Sequence, residues 1–363
     1  MTLDFWRNRR VLLTGHTGFK GSWLSLWLQS LGAEVTGYAL APHTQPSLYA
    51  LADVGRGMHS VNGDILDLEN LRRVIGDSET EIVFHLAAQA LVRHSYTNPI
   101  DTYKTNVTGT AHVLEAVRHI PSVRAVVVIT SDKCYQNIGM TEGYVETDPL
   151  GGDDPYSSSK AAAELVTAAY RNSYFMSPKA GERVGIASAR AGNVIGGGDW
   201  ATDRLIPDVV RAILNKQTLS IRNPQAVRPW QHVLEPLCGY LTLAEKLHQQ
   251  PGNFSEGWNF GPDESECWPV SDILEVLREL WGSSVAWRIE YMAQPQEAKY
   301  LKLDSTKARK RLGWRPRWKL RNALEFTVNW YREYQSNQDL RASVQAQISS
   351  YQDALNQAEI SRL

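Results

Sequence analysis

A chain of 363 residues with 38 basic and 39 acidic side chains, a formal net charge of −1 and 43% hydrophobic residues can build a large core. It has neither the basic excess of a nucleic-acid binder nor the polarity of a disordered protein. Three cysteines, Cys134, Cys238 and Cys267, are too few and scattered for a disulfide framework or zinc site and fit a reducing, cytoplasmic compartment. No apolar run approaches the ~20 residues that span a bilayer, and the Arg-rich start lacks the apolar region and cleavage site of a secretory signal. Neither a membrane nor a nucleic acid is an expected partner.

The first half alternates short β-rich runs with helical stretches, the pattern of βαβ units feeding a parallel sheet. Val11 to Thr14 is the first predicted strand, and Gly15, Gly18 and Gly21 follow it directly, opening a helix over Gly21 to Leu31. Glycines at such a turn let backbone N–H groups approach a pyrophosphate at the positive end of a helix. The spacing is Gly-x-x-Gly-x-x-Gly, not the Gly-x-Gly-x-x-Gly of the dinucleotide fingerprint. The second strand, Val35 to Tyr38, runs into Ala39-Leu40 with neither the carboxylate that usually binds ribose hydroxyls nor an arginine for a 2′-phosphate. This favours NAD over NADP, with His43 the nearby basic group that leaves the choice open. Asp64, in Gly63-Asp64-Ile65, fits either an adenine contact or a solvated turn. A helix over Leu68 to Ile75, a strand over Ile82 to Leu86, a helix over Tyr103 to Arg118 and a strand over Val126 to Thr130 complete a doubly wound, Rossmann-like α/β domain.

Thr130-Ser131-Asp132-Lys133 stands at that last strand end, and Tyr156 and Lys160 open the next predicted helix, four residues apart on one face. A phenol of ordinary pKa ~10 is a poor base at neutral pH, and a neighbouring ammonium favours its phenolate. Tyr156 so placed can take a hydroxyl proton while the carbon bearing it is oxidised. A sixth strand follows over Gly185 to Ala189. Beyond it Gly196-Gly197-Gly198 and Pro207, Pro224, Pro229, Pro251 and Pro262 break the chain into short helices and loops, as in a smaller, interleaved α+β substrate domain. The expected division is a dinucleotide-binding domain over 1–188 with some later segments returning to it, a mainly substrate-binding domain over 189–335, and a polar terminal helix or frayed tail over 336–363. Arg190, Arg204 and Arg228 suit an anionic diphosphate. Among the 12 tryptophans, Trp200 and Trp230 lie in glycine- or proline-marked loops and fit either stacking on a base or packing.

Taken together, the glycine loop, Leu86-Ala87-Ala88-Gln89, Asn106 in Thr105-Asn106-Val107-Thr108-Gly109-Thr110, Thr130-Ser131, and Tyr156 with Lys160 resemble the extended short-chain dehydrogenase/reductase family over almost the whole chain. The resemblance implies NAD as cofactor, held by Gly15, Gly18, Phe19, Gly21, Tyr38, Asp64, Ile65, Leu86, Ala87, Ala88, Thr130, Tyr156 and Lys160. It also implies a structural role for Asn106 and a Ser131 hydroxyl on the substrate. Within the family, epimerases carry no acid after that hydroxyl residue, and nucleoside-diphosphate-glucose 4,6-dehydratases carry Asp then Glu. Asp132-Lys133, with Gly196-Gly197-Gly198-Asp199-Trp200 and Arg228-Pro229-Trp230-Gln231-His232-Val233, is similar to the branch that acts on CDP-glucose.

That branch implies a lyase of deoxysugar biosynthesis. Oxidation at C4 by Tyr156 and NAD acidifies C5, a base removes the C5 proton while an acid protonates the departing C6 hydroxyl, and reduction at C6 leaves a 4-keto-6-deoxy sugar. Asp132 is the expected acid, kept protonated by burial. Lys133 stands where Glu serves as C5 base in the TDP-type enzymes. It either takes that proton itself, its pKa depressed by desolvation or by Lys160, or orients a water or steadies the enolate. Implied substrate contacts are Ser131, Asp132, Asn193, Arg204, Arg228, Glu297 and Tyr300, and no metal is expected. A nucleotide-sugar 4-epimerase would use the same Tyr156, Lys160 and NAD, and Asp132 argues against it. A non-catalytic dinucleotide sensor is expected to lose Tyr156 or Lys160, and both are present. Family members pair through the helices over 103–118 and 156–174, so a homodimer or homotetramer is expected.

Overall fold

Continuous apolar runs such as Ala125-Val126-Val127-Val128-Ile129, every residue of which is buried, are what a parallel strand covered on both faces requires. In the computed structural model, which describes residues 2–176, 184–221, 223–282, 287–289 and 301–360, six strands come first, all but the exposed third largely buried. They are Arg10–Thr14 (β1), Glu34–Ala39 (β2), His59–Asn62 (β3), Ile82–His85 (β4), Ala125–Ile129 (β5) and Gly185–Arg190 (β6). The later strands are short: Val194–Ile195 (β7), Leu219–Ile221 (β8), Val227–Pro229 (β9), Gln231–His232 (β10), Gly257–Asn259 (β11), Cys267–Pro269 (β12) and Trp287–Ile289 (β13). The main sheet has the order β11-β6-β5-β4-β1-β2-β3 and is parallel throughout. β1 lies between β2 and β4, so the winding reverses there and a crevice opens at the carboxyl ends of β1 and β4, the usual ligand site of such sheets. This is the doubly wound α/β class expected from the sequence.

Three local features position the site. The helix after β1 begins at Phe19, two residues before its expected start, and its N-cap Gly18 has no side chain to satisfy the first-turn N–H groups, which leaves them available to an anion. The helix expected over 103–118 is interrupted. Pro99–Tyr103 passes through a π turn, Lys104–Thr108, into Gly109–Arg118. The wider turn holds Asn106, whose amide accepts from Gln89 N at 2.8 Å and donates to Gln89 O at 3.0 Å and Ser159 Oγ at 2.8 Å, fixing the chain after β4 to the Tyr156 helix. Finally, β11 returns from far along the sequence to pair with β6. The Leu234–Gln249 helix packs under β5 and β6.

The last segment is a packed helix, Leu340–Ile360. It buries Leu340, Val344, Ile348 and Tyr351 against the Phe19–Ser30 and Leu320–Gln335 helices, with the Tyr351 ring edge-on to Trp27 at 5.6 Å. A polar, Gln-rich composition conceals this because one buried residue per turn suffices. Trp200 and Trp230 also pack: Trp200 meets Tyr331 and Tyr334 edge-on at 5.3 and 5.1 Å, and Trp230 Nε1 donates to Trp268 O at 3.2 Å. No described helix is long and apolar enough to cross a membrane.

Glu235 knots the C-terminal elements together. Fully buried, it accepts from Arg317 N at 2.9 Å, Trp318 N at 2.7 Å and the Tyr351 hydroxyl at 2.6 Å, and burial pushes its carboxyl up to about 7 from the ordinary 4.5. The folded chain therefore keeps this proton to a higher pH than the unfolded chain. The stability it contributes is full below pH 4.5 and is lost as pH rises towards 7. Glu235→Gln should flatten that slope, by up to roughly 3 kcal/mol across the window, measured as urea unfolding at a series of pH values.

Candidate active site

Gly15 sits at φ +77°, where an L side chain is strained, and a Cβ on it would lie 2.7 Å from Ala87 N. A Cβ on Gly21 would lie 2.2 Å from Gly15 O. The two contacts press the loop against the chain leaving β4, where Ala87 N donates to Thr14 Oγ1 and Leu86 N to Thr14 O. Gly18 N closes the turn on Gly15 O at 3.1 Å. What results is a backbone cradle at a helix N-terminus, a shape that fits a dinucleotide pyrophosphate and that side chains would fill. Phe19 is half-buried beside it.

On the β2 side the supports are mostly structural. Tyr38 is fully buried, its ring against Gly63, its hydroxyl donating to Asp64 O at 2.9 Å and its carbonyl accepting from Gly15 N. The exposed Asp64 carboxylate accepts from Leu66 N at 2.9 Å, as a turn aspartate does. Ile65 packs on Gly109. Buried His16, held down to about 4 by desolvation, bonds Ser60 Oγ at 2.7 Å in the space that side-chain-free Gly37 leaves for its ring.

The residues expected to react gather where β5 ends. Thr130 Oγ1 donates to Glu164 Oε1 at 2.5 Å, the Ser131 hydroxyl donates to Asp132 Oδ1 at 2.9 Å and accepts from Lys133 N at 3.2 Å, and Asp132 is only 3% exposed. Asp154 caps the facing helix, Pro155–Tyr170, by accepting from Ser157 N, and Tyr156 N donates to Ser95 Oγ. Burial pushes the Tyr156 phenol up to about 12, with the Asp132 charge adding to the rise and Ser131 and Arg204 opposing it. Burial also brings Lys160 down to about 8, against the pull of Glu164. The Lys160 ammonium donates to Ile129 O at 3.4 Å, and the Arg204 charge opposes the rise of the Tyr156 phenol. Lys133 lies half-buried on the short turn Asp132–Cys134.

Arg204 reaches the cleft while paired with Asp199 at 2.9 Å. Asn193 occupies a left-handed backbone conformation, φ +30°, just past β6, and its carbonyl accepts from Gln231 N. Arg228 is half-buried on β9, its guanidinium on Val227 O at 3.0 Å. Arg190 is not a diphosphate ligand: it is buried, bonded to Glu164 Oε2 at 2.8 Å and the Tyr135 hydroxyl at 2.6 Å. Glu297 and Tyr300 lie outside the described residues. Lys20 belongs to the cleft although no motif singled it out. Burial brings its amine down to about 7, with Arg204 and Lys160 lowering it further and Asp132 and Asp199 opposing. Its one sequence signal was a cation placed between Phe19 and Gly21, inside an otherwise uncharged glycine loop.

The pattern of the family described as GDP-mannose 4,6 dehydratase matches residues 12–327. The chain belongs to this family. A relative described as CDP-glucose 4,6-dehydratase, from Salmonella typhimurium, is 52% identical over 353 residues, 97% of this chain and 98% of the relative. The crystal structure of DesIV, a dTDP-glucose 4,6-dehydratase from Streptomyces venezuelae with NAD and TYD bound, superposes with a TM-score of 0.77 at 25% identity, covering 91% of this chain and 99% of that one. A UDP-glucose 4-epimerase from Thermotoga maritima, 22% identical with a TM-score of 0.77 over 90% of this chain and 99% of that one, shares the fold. The nucleotide-sugar dehydratase resemblance expected from the motifs is thus borne out at family level. In this GDP-mannose 4,6-dehydratase family member, Gly15→Ala should keep its secondary structure by circular dichroism yet weaken NAD binding at least tenfold by calorimetry, because a methyl 2.7 Å from Ala87 N forces the loop to shift.

Proposed function

We propose that the protein is an NAD-dependent CDP-glucose 4,6-dehydratase, yielding CDP-4-dehydro-6-deoxyglucose and water. The observation that carries the reading is a buried carboxyl, Asp132, one residue past Ser131 and within electrostatic reach of Tyr156, in a chain 52% identical to the Salmonella enzyme over nearly its full length. A 4-epimerase needs no acid at that place. NAD, bound in the glycine cradle, supplies the two-electron acceptor at C4 and the donor at C6.

The protein's own residues perform the rest. Arg204, Arg228 and Asn193 bind the diphosphate side of the substrate, with the Arg204 fork held by Asp199. Tyr156 takes the C4 hydroxyl proton, and Ser131 orients that oxygen. Lys160 and Arg204 supply positive charge along the path of the proton. Once C4 is a ketone, Lys133 takes the acidified C5 proton and Asp132 gives its proton to the C6 oxygen, which leaves as water; as C6 of the resulting enone is reduced, Lys133 returns the proton to C5, and the proton held by Tyr156 restores Asp132. Burial excludes bulk water that would otherwise compete for these protons. Residues 189–335, with their short ribbons β7–β10, β8–β13 and β9–β12, supply most of the nucleotide-sugar contacts, and 1–188 supplies the cofactor cradle and catalytic groups.

The chain also presents an apolar face for a second copy. Ile100, Leu165, Tyr96, Tyr174 and Tyr103 are 64, 60, 49, 47 and 38% exposed on neighbouring segments beside the Tyr156 helix, and a homodimer would cover them.

With CDP-, TDP-, UDP- and GDP-glucose offered in parallel with NAD, mass spectrometry should show loss of one water with CDP-glucose; a galactose isomer instead would establish an epimerase. Tyr156→Phe should abolish C4 oxidation, lowering kcat by about 10³-fold. Asp132→Asn should keep C4 oxidation and slow water loss by about 10²-fold, whereas full activity would remove Asp132 as the acid. Leu165→Arg should convert a dimer to a monomer in sedimentation equilibrium, and an unchanged mass would place the subunit contact elsewhere.

A further inference from the structure

Behind the Asp132 carboxyl lie polar atoms for which the proposed reaction has no use. Asp132 Oδ2, Tyr240 Oη and Gln231 Oε1 are buried and have no hydrogen-bond partner among the described residues, and their residues are 3, 0 and 3% exposed. They come from separate elements: the turn after β5, the middle of the Leu234–Gln249 helix, and β10.

Several contacts bring their residues into one neighbourhood. Gly192 closes on the carboxyl so tightly that a Cβ there would lie 1.9 Å from Asp132 Oδ2. The Gln231 amide Nε2 donates to Phe260 O at 2.8 Å and to Gly192 O at 3.5 Å, which makes Oε1 its accepting end. Tyr240 stands edge-on to Phe260 at 5.7 Å. Burial, then the charges of Asp132 and Tyr156, push the Tyr240 phenol up. The ionisable groups whose charges couple to Asp132 are Lys20 from the helix after β1, Tyr156 from its own helix, Tyr240, and the adjacent Cys134.

Buried polar groups in folded proteins are nearly always paired, and each one left alone costs about 1–3 kcal/mol. One donor and two acceptors, buried in one neighbourhood, match a single internal water, which gives two hydrogens and takes one. We propose that one buried water joins Asp132 Oδ2, Gln231 Oε1 and the Tyr240 hydroxyl, and that Tyr240 and Gln231 are positioning residues for the catalytic carboxyl.

The function of this network rests on the reading of Asp132 as the acid of dehydration. Anchoring Oδ2 at the back leaves Oδ1, on the Ser131 side, as the oxygen presented to the substrate. A hydroxyl and a water both reorient, so the network stays satisfied whether the carboxyl carries its proton or has given it away. The substrate-facing geometry is then the same before and after proton transfer.

Crystallography of the full chain and of Tyr240→Phe, together with single turnovers of CDP-glucose quenched into sodium borodeuteride, tests the proposal. Expected are density for one water within hydrogen-bond distance of all three atoms and its loss or displacement in Tyr240→Phe. That variant should melt within a few degrees of the wild type and keep KM and the rate of C4 oxidation. Its water loss should slow roughly tenfold, equivalent to about 1.4 kcal/mol, so that a trapped 4-keto sugar still carrying its C6 oxygen accumulates. A site without water, or water loss at the wild-type rate in Tyr240→Phe, overturns the proposal. Failure of Asp132→Asn to slow water loss overturns instead the assignment of the acid, and the density still decides whether the network exists.

Discussion

The site depends on the buried ion pair between Glu164 and Arg190. Glu164 stands one helical turn beyond Lys160 and accepts from Arg190 at 2.8 Å and Ser188 at 2.6 Å, both on β6, and from Thr130 at the end of β5. Burial alone would raise its carboxyl; Arg190 and the two hydroxyls override that and hold it below the ordinary range. Arg190 continues the chain of bonds to the Tyr135 hydroxyl, which donates to Asn259 on β11, whose amide reaches Tyr144 O and Asp304 O. One pair thereby locks the helix bearing Tyr156 and Lys160 to the strand ends bearing Ser131 and Asp132, and to the edge strand that returns from the second half. Removing one partner of such a pair costs about 3–5 kcal/mol because the other charge is left buried alone.

Above that foundation, burial shapes the chemistry more than any single neighbour. It is the leading cause that lifts Tyr156 to about 12 and brings Lys160 and Lys20 down to about 8 and 7. Two amines that ionise near neutrality and a reluctant phenol in one cleft are poised to exchange protons with small changes in their surroundings. Arg204 escapes this trend because Asp199 keeps it charged, and its charge acts on the phenol.

Water handling follows from the same packing. A dehydratase must expel one water from its substrate while excluding bulk solvent from its acid. Gly192 serves that end by packing directly on the carboxyl.

The parallel sheet, the glycine cradle after β1, the helix with Tyr156 and Lys160 on one face and the aspartate at a strand end were all legible in the order of the residues alone. Each is a property of consecutive residues: strand runs, turn glycines and i, i+4 spacing are local, and local sterics dictate them. The partners of the distant charges could not be seen that way. Arg190 and Arg204 look alike in sequence, and only the sheet puts one beside Glu164 and leaves the other on the cleft. Trp200 and Trp230, set in loops, proved to be packing residues, and a tail of glutamines and serines proved to be a docked helix because Tyr351 finds Trp27 and Glu235. Lys20, Gln231 and Tyr240 carried little or no signal, since a charge or hydroxyl gains its role only from what folding brings within a few ångströms of it.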